Sequence, residues 1–423
     1  MQAQQQGWRG RLQALGPGIL MATAAIGGSH LVASTQAGAL FGWQLIWLIL
    51  LVNILKYPFF RFGVQYTLEH NESLLQGYQR KGKAYFYSFI GLNIIAAVVN
   101  TAGVLLLTAS LLHYALPWPV AVPLLCALIL VVCLAILLLG HYRALDKVAK
   151  LIMLLLTVTT VAAAIIAASN GANAPADFVG PSPWQLVSLG FLVALMGWMP
   201  APIEISAISS LWLKAKLRQQ AISRQQGLFD FNLGYWLTAA LALVFVSLGA
   251  LVQYGSEQDI ALAGAAFAQQ LIGMYASTIG DWARPLVALI AFLCMFGTTI
   301  TVLDGYARTL NESFTLLGWQ RPANHHSLNI WLLVQAASGM ALILFFSAAL
   351  GPLLTFAMTL AFLTTPVFAW LNYSLMVGRQ PQDGAGAERC GLSWPLKLLS
   401  WAGLVYLTGF ALLFLAWFAG IFN

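Results

Sequence analysis

Charge is what this chain has least of. Of its 423 residues only 8% are Asp, Glu, Lys or Arg and 60% are hydrophobic, against roughly 25% charged residues in soluble domains. With a mean hydropathy of +0.81, a water-facing globular surface is excluded. Cysteine is sparse as well. Cys126, Cys133, Cys294 and Cys390 are scattered singly, so neither a disulfide framework nor a CxxC metal motif is present. HExxH, a GxSxG elbow and a phosphate-cradling glycine loop are missing, which leaves an intramembrane enzyme without support. No loop is long or biased enough to be a disordered interaction tail.

Long apolar runs fill the space instead. With about 20 residues needed per crossing, the sequence predicts eleven spans at about 15–41, 43–66, 86–113, 119–140, 149–169, 186–211, 230–254, 284–310, 329–347, 351–377 and 396–421. The fold class is an all-α integral membrane protein, one transmembrane domain over 1–423. The N-terminal MQAQQQGWRGRLQ lacks a small-residue cleavage site and reads as a retained cytoplasmic tail, 1–14.

The net charge of +7 is a topology signal, not the mark of a nucleic-acid partner. With the N-terminus inside, all of the 20 Lys and Arg residues except Arg284 fall on the cytoplasmic side, as the positive-inside rule requires. Lys56 and Arg61 lie within the second span and are counted by nearness to its inner end. The C-terminus is then outside. Compact loops point to a bacterial inner membrane. External connections are short at Leu116–Pro119 and Ala348–Gly351 and longer at 170–185 and 255–283.

Two spans carry interruptions. In GILMATAAIGGSHL, residues 18–31, Gly27 and Gly28 precede Ser29 and His30 inside an apolar run. Adjacent glycines allow close helix packing, or they break the helix. The sixth span, FLVALMGWMPAPIEISAISSLW, has Pro200 and Pro202 near its centre. Proline removes a backbone donor and clashes with the preceding turn, so unwinding is expected near Trp198–Pro202. Breaks five spans apart fit an inverted five-plus-five repeat, here 15–169 and 186–377 with 396–421 as an additional helix. The discontinuous helices would then face a midplane site for a solute or ion.

LGPGILMATAAIGGSHLVASTQAGALFGW resembles the first helix of the NRAMP family of divalent-metal transporters, where LGP is followed about ten residues later by a DPGN break and then a QGG-like stretch. Gly27-Gly28-Ser29-His30 occupies that break and Gln36-Ala37-Gly38 follows it. Met199-Pro200 stands where the family has Met-Pro-His, and TTITVLDGYARTLNESF in the eighth span fits the layout. The resemblance implies a LeuT-like transporter binding a divalent transition metal and coupling its entry to protons. The family ligands are the Asp and Asn of the first break and the Met and backbone carbonyls of the sixth. By position, Met199 is retained, Asp becomes Gly27 and Asn becomes His30. The two histidines linked to proton movement become Ala201 and Ser206.

Loss of the carboxylate disfavours hard cations, whereas imidazole and thioether suit late first-row metals. His30, Met199 and Glu204 are therefore the candidate metal ligands, with Gly27 and Trp198 adding backbone carbonyls to the substrate site. The other reading of His30 is a hydrogen bond to a neighbouring helix. Glu204, an intramembrane carboxylate, is a ligand, a proton carrier or one half of a structural pair. Lys56 either snorkels to the inner interface or is a buried ammonium, paired with Glu204, that favours an anionic, zwitterionic or neutral solute. Asp304 is an ion-paired residue near an inner helix end or part of an ion path beside Thr298, Thr299 and Thr301. Glu204, Lys56 and Asp304 are the coupling or gating candidates.

The functional expectation is a secondary transporter of a divalent metal, with a small organic or anionic solute as the alternative. Its partners are the transported species and the lipid bilayer. No cofactor is expected, and nothing in the sequence sets an oligomeric state.

Overall fold

The computed structural model describes residues 15–175, 177–256, 264–319, 325–345, 350–377 and 392–421. The tail 1–14, Cys390 and the first two residues of the Ala348–Gly351 connection lie outside the described residues. Fourteen helices follow one another: α1 Pro17–Ala25, α2 Ser29–Phe41, α3 Ile46–His70, α4 Leu74–Lys81, α5 Lys83–Ala115, α6 Val122–Asn170 and α7 Leu189–Trp198. The order continues with α8 Ile205–Leu217, α9 Arg224–Val252, α10 Gly264–Ile279, α11 Arg284–Leu316, α12 His325–Phe345, α13 Leu350–Val377 and α14 Trp394–Phe418.

Among the described residues nine helices are long and apolar enough to cross a bilayer, and α1 with α2, bent by 49°, makes a tenth crossing. The expected count of eleven rests on reading α7 and α8 as one further interrupted span. Exposed Trp43, Trp118, Trp184, Trp282, Trp319 and Trp394 sit at helix ends, where amphipathic rings meet the membrane–water boundary.

Three connections differ from the expected loops. The fourth and fifth spans are joined without a break in one helix of 49 residues, α6, because the intervening HYRALDKVAK is polar but made largely of good helix formers. The 255–283 connection holds α10, which buries Leu271, Ile272, Met274 and Tyr275 and packs on α5, α6 and α11. Between the second and third spans lies α4, begun by a capping box in which Ser73 Oγ accepts from Gln76 N and Gln76 Oε1 accepts from Ser73 N at 3.0 Å.

The core is layered around α1, α5 and α11, while α6 shows lipid-facing residues such as Leu124, Leu128 and Val131. Both halves of the first span are pressed against α9 by glycines. A Cβ at Gly18 would lie 2.1 Å from the Asp230 carbonyl oxygen, and one at Gly249 would lie 2.1 Å from that of Thr35. The start of α1 is also held electrostatically. Asp230 Oδ1 accepts from Gly16 N at 3.0 Å and its Oδ2 from Gly18 N at 2.7 Å, placing a carboxylate at a helix N-terminus where the dipole favours it.

Candidate functional site

The first break begins where α1 ends at Ala25. Carbonyls released there are satisfied by α11, not exposed to lipid: Thr298 Oγ1 donates to Thr23 O at 3.0 Å and Cys294 Sγ to Ile26 O at 3.0 Å. Glycine permits this closeness. A Cβ at Gly27 would fall 2.6 Å from Thr298 Oγ1, and one at Gly28 would fall 2.4 Å from the Trp198 ring. The place of a side chain at position 27 is thus occupied by Thr298, so the missing carboxylate is matched by missing room for one. Beyond the break the chain re-forms a helix with π-type winding over Ser29–Ser34.

The second break runs from Met199, whose peptide to Pro200 is cis, to Glu204. α8 then restarts with Ile205 N donating to Pro202 O at 3.1 Å and Ser206 N to Ile203 O at 2.9 Å. At the C-terminal end of α7, where carbonyls have no helical donor, Lys56 Nζ from α3 donates to Met196 O at 2.6 Å and Gly197 O at 3.0 Å. It also reaches Ala201 O in the unwound stretch at 3.5 Å. Lys56 is fully buried, which overturns the snorkelling reading: the lysine turns inward because the broken helix offers it acceptors.

Glu204, also buried, stands at the start of α8. Its Oε1 accepts from Tyr306 Oη at 3.1 Å and from Asn100 Nδ2 at 3.4 Å, and Asn100 Nδ2 donates to Tyr306 Oη at 2.7 Å. Its Oε2 is buried with no hydrogen-bond partner in the chain, as are Asn100 Oδ1 and Trp198 Nε1. Among the described residues Lys56 and Glu204 do not form a direct ion pair: the ammonium is held by carbonyls of α7 and the break, and the carboxylate by Asn100 and Tyr306. Asn100 and Tyr306 join residues of both breaks around a small cavity of about 30 Å³, room for an ion or a water molecule and well below the roughly 300–1,000 Å³ usual for small-ligand sites. Its lining combines Ala24, Ala25, Gly28 and Ser29 of the first span with Trp198, Pro202 and Ile205 of the sixth, and Asn100, Val104, Thr298, Val302 and Tyr306 of α5 and α11.

Of the candidates named from sequence, Trp198 lines this cavity and Glu204 adjoins it through Asn100 and Tyr306. Met199 is buried in the break but is not part of the lining. Gly27 packs on Thr298 beside it. His30 is turned the other way, toward α9. Its Nε2 donates to Thr238 O at 2.8 Å, its Nδ1 pairs with Ser29 Oγ at 2.6 Å, and its ring meets Phe245 edge-on. His30 and Glu204 therefore do not share a site, and among the described residues no group of three or more His, Cys, Asp or Glu is placed to hold a metal ion. Asp304 is buried, accepting from Trp212 Nε1 at 2.7 Å and pairing with Arg308 Nε at 2.7 Å. It lies outside the cavity lining. Tyr306 and Asn100 are not among the site residues named from sequence. The one available signal was their polarity on apolar helices.

The profile of the family described as natural resistance-associated macrophage protein-like, Nramp, matches residues 18–416. The chain belongs to the Nramp family. A relative, uncharacterized protein PM0681 of Pasteurella multocida (strain Pm70), is 55% identical over 425 residues, covering 100% of this chain and 96% of the relative. Among solved structures, a manganese transporter of Eremococcus coleocola superposes with a TM-score of 0.71 at 14% identity, covering 100% of this chain and 90% of that one. MhsT in complex with L-phenylalanine gives 0.65 at 14% identity over 94% of this chain and 97% of MhsT. At such identities the likeness is one of fold. This Nramp protein has the LeuT-like architecture with interrupted first and sixth spans.

Proposed function

We propose that this Nramp protein is a secondary active transporter that carries its substrate through the cavity between the two interrupted spans by alternating access. The observation that carries the reading is the pair of breaks facing one cavity, with buried, unpartnered polar atoms of Trp198 and Asn100 on its lining residues. Half-helix ends and unwound backbone at mid-bundle are the usual substrate and ion contacts in carriers built this way. Movement of the half-helices of the two broken spans, α1, α2, α7 and α8, against the rest of the bundle would open the cavity to each side in turn.

Family membership makes a divalent metal ion the first candidate cargo, and the Eremococcus coleocola neighbour is a manganese transporter. Here Met199 would supply a thioether and Glu204 Oε2 an anionic oxygen. This set is softer and carries less charge than a site with an aspartate at position 27, so Mn²⁺ should bind less well than Cd²⁺. Glu204 is also the candidate proton carrier, being the intramembrane carboxylate beside the cavity. A second reading, a small organic or anionic solute, is favoured by one observation: a lysine ammonium already sits on the α7 carbonyls.

Influx into proteoliposomes containing a metal-quenched dye separates the two, measured with Mn²⁺ and Cd²⁺ with and without an inward proton gradient. Influx above that of empty vesicles, larger for Cd²⁺, supports the metal reading. Silence of both ions with folded protein transfers the assignment to the organic or anionic solute.

A further inference from the structure

We propose that the Lys56 ammonium is a built-in cation at the end of α7, standing where a carrier of this architecture would otherwise bind a free coupling cation, so that the transport cycle needs no alkali ion there. The inference rests on the transporter reading and goes beyond it.

The C-terminus of a helix leaves its last carbonyls without donors and carries a partial negative charge. In interrupted membrane helices such ends and the adjoining unwound carbonyls are where coupling ions are held. Here that position is taken. Lys56 Nζ reaches Met196 O, Gly197 O and Ala201 O at 2.6, 3.0 and 3.5 Å, and an ammonium has three N–H groups to give. Two of these acceptors belong to the last turn of α7 and the third to the break itself. Space is equally committed: a Cβ on Gly197 would lie 2.0 Å from Met358 O of α13, so the helix end cannot be approached from that side.

The charges follow the half-helices. Lys56 sits at the negative end of α7 and Glu204 at the positive start of α8, the sense in which each helix dipole is stabilised. The lysine belongs to α3, a different span from the broken one, and packs with α8 through that helix. A charge fixed to α3 cannot leave with the cargo. It can release and recapture the α7 carbonyls as the broken span moves, and its like charge excludes a free cation from them.

The test uses a cysteine at Ser29, on the cavity wall, in full-length protein with its own cysteines replaced and reconstituted in proteoliposomes. The rate of labelling by a membrane-impermeant thiol reagent reports opening of the cavity. With Lys56 intact, replacing choline by Na⁺ or K⁺ should change the rate less than twofold. In Lys56→Ala, which removes the ammonium and leaves space, the rate should become cation-dependent, changing at least fivefold between choline and Na⁺, K⁺ or n-propylammonium. Lys56→Met, which fills the space without charge, should be indifferent to all of them. A fivefold dependence on Na⁺ or K⁺ with Lys56 present overturns the proposal, as does a folded Lys56→Ala protein indifferent to every cation. If Lys56→Ala does not fold, the arm with Lys56 intact still decides. Absence of labelling in every variant would count against the carrier reading itself, a different failure.

Discussion

The contact between α1 and α9 makes a quantitative prediction for Gly18→Ala. The added methyl would sit 2.1 Å from the Asp230 carbonyl oxygen and 2.9 Å from Phe231 N, where optimal non-bonded separation is roughly 3.5 Å. Both obstacles are backbone, so no rotamer change relieves the clash and the helices must part. Parting them also lengthens the bonds from Gly16 N and Gly18 N to the Asp230 carboxylate, now 3.0 and 2.7 Å. Overpacking of this kind costs about 1–3 kcal/mol and weakened hydrogen bonds about 1 more, so the expected loss is about 2–4 kcal/mol. Gly409→Ala in α14 is the control. Nothing lies within 4 Å of its added carbon, and alanine is favoured over glycine in a helix by up to about 1 kcal/mol. Gly234→Ala tests the same interface from the other side, because its Cβ would lie 2.2 Å from Gly18 O. Once the helices have parted for one methyl the second costs less, so the double variant should lose at least about 0.5 kcal/mol less than the sum. Equilibrium unfolding in mixed micelles, followed by tryptophan fluorescence, measures all four proteins. Equal stability of Gly18→Ala and Gly409→Ala would refute the reasoning.

Two further changes address the site. Met199→Ala should weaken Cd²⁺ uptake at least tenfold and any Mn²⁺ uptake much less, read as the concentration dependence of influx; equal loss for both ions would remove Met199 as a ligand. His30→Ala should destabilise the fold by about 1–3 kcal/mol through the stranded Thr238 carbonyl, while leaving the apparent affinity for cargo within about twofold. A tenfold loss of affinity in folded His30→Ala protein would return His30 to the site.

The span pattern was legible because lipid imposes it: a chain with so few charges has to alternate long apolar helices with short polar turns. The breaks were legible for the same reason, since Gly27-Gly28 and Pro200/Pro202 are the residues that interrupt helical backbone. Direction was not. The acceptor of Lys56 lies 140 residues away on α7, and that of His30 lies 208 residues away on α9. A helix position gives no azimuth until the neighbours are placed, and the two residues turned in opposite functional senses, Lys56 onto the broken helix and His30 away from the cavity. Tyr306 and Asn100 are likewise separated by 206 residues, so their joint hold on Glu204 had no local signature. α10 was missed because Gln269 and Gln270 interrupt its apolar face, leaving a segment too short and too polar to read as a span.

The central claim is that the cavity between the interrupted spans lies on the transport path and is reached from both sides of the membrane in turn. Its most direct test is side-specific labelling of the Ser29→Cys protein in oriented proteoliposomes, with impermeant thiol reagent applied outside in one sample and trapped inside in another. The account predicts reaction from either side, with crosslinks that hold α1 against α9 slowing the inner reaction and leaving the outer one. A cysteine that reacts from neither side, or from one side alone in every condition, would contradict it.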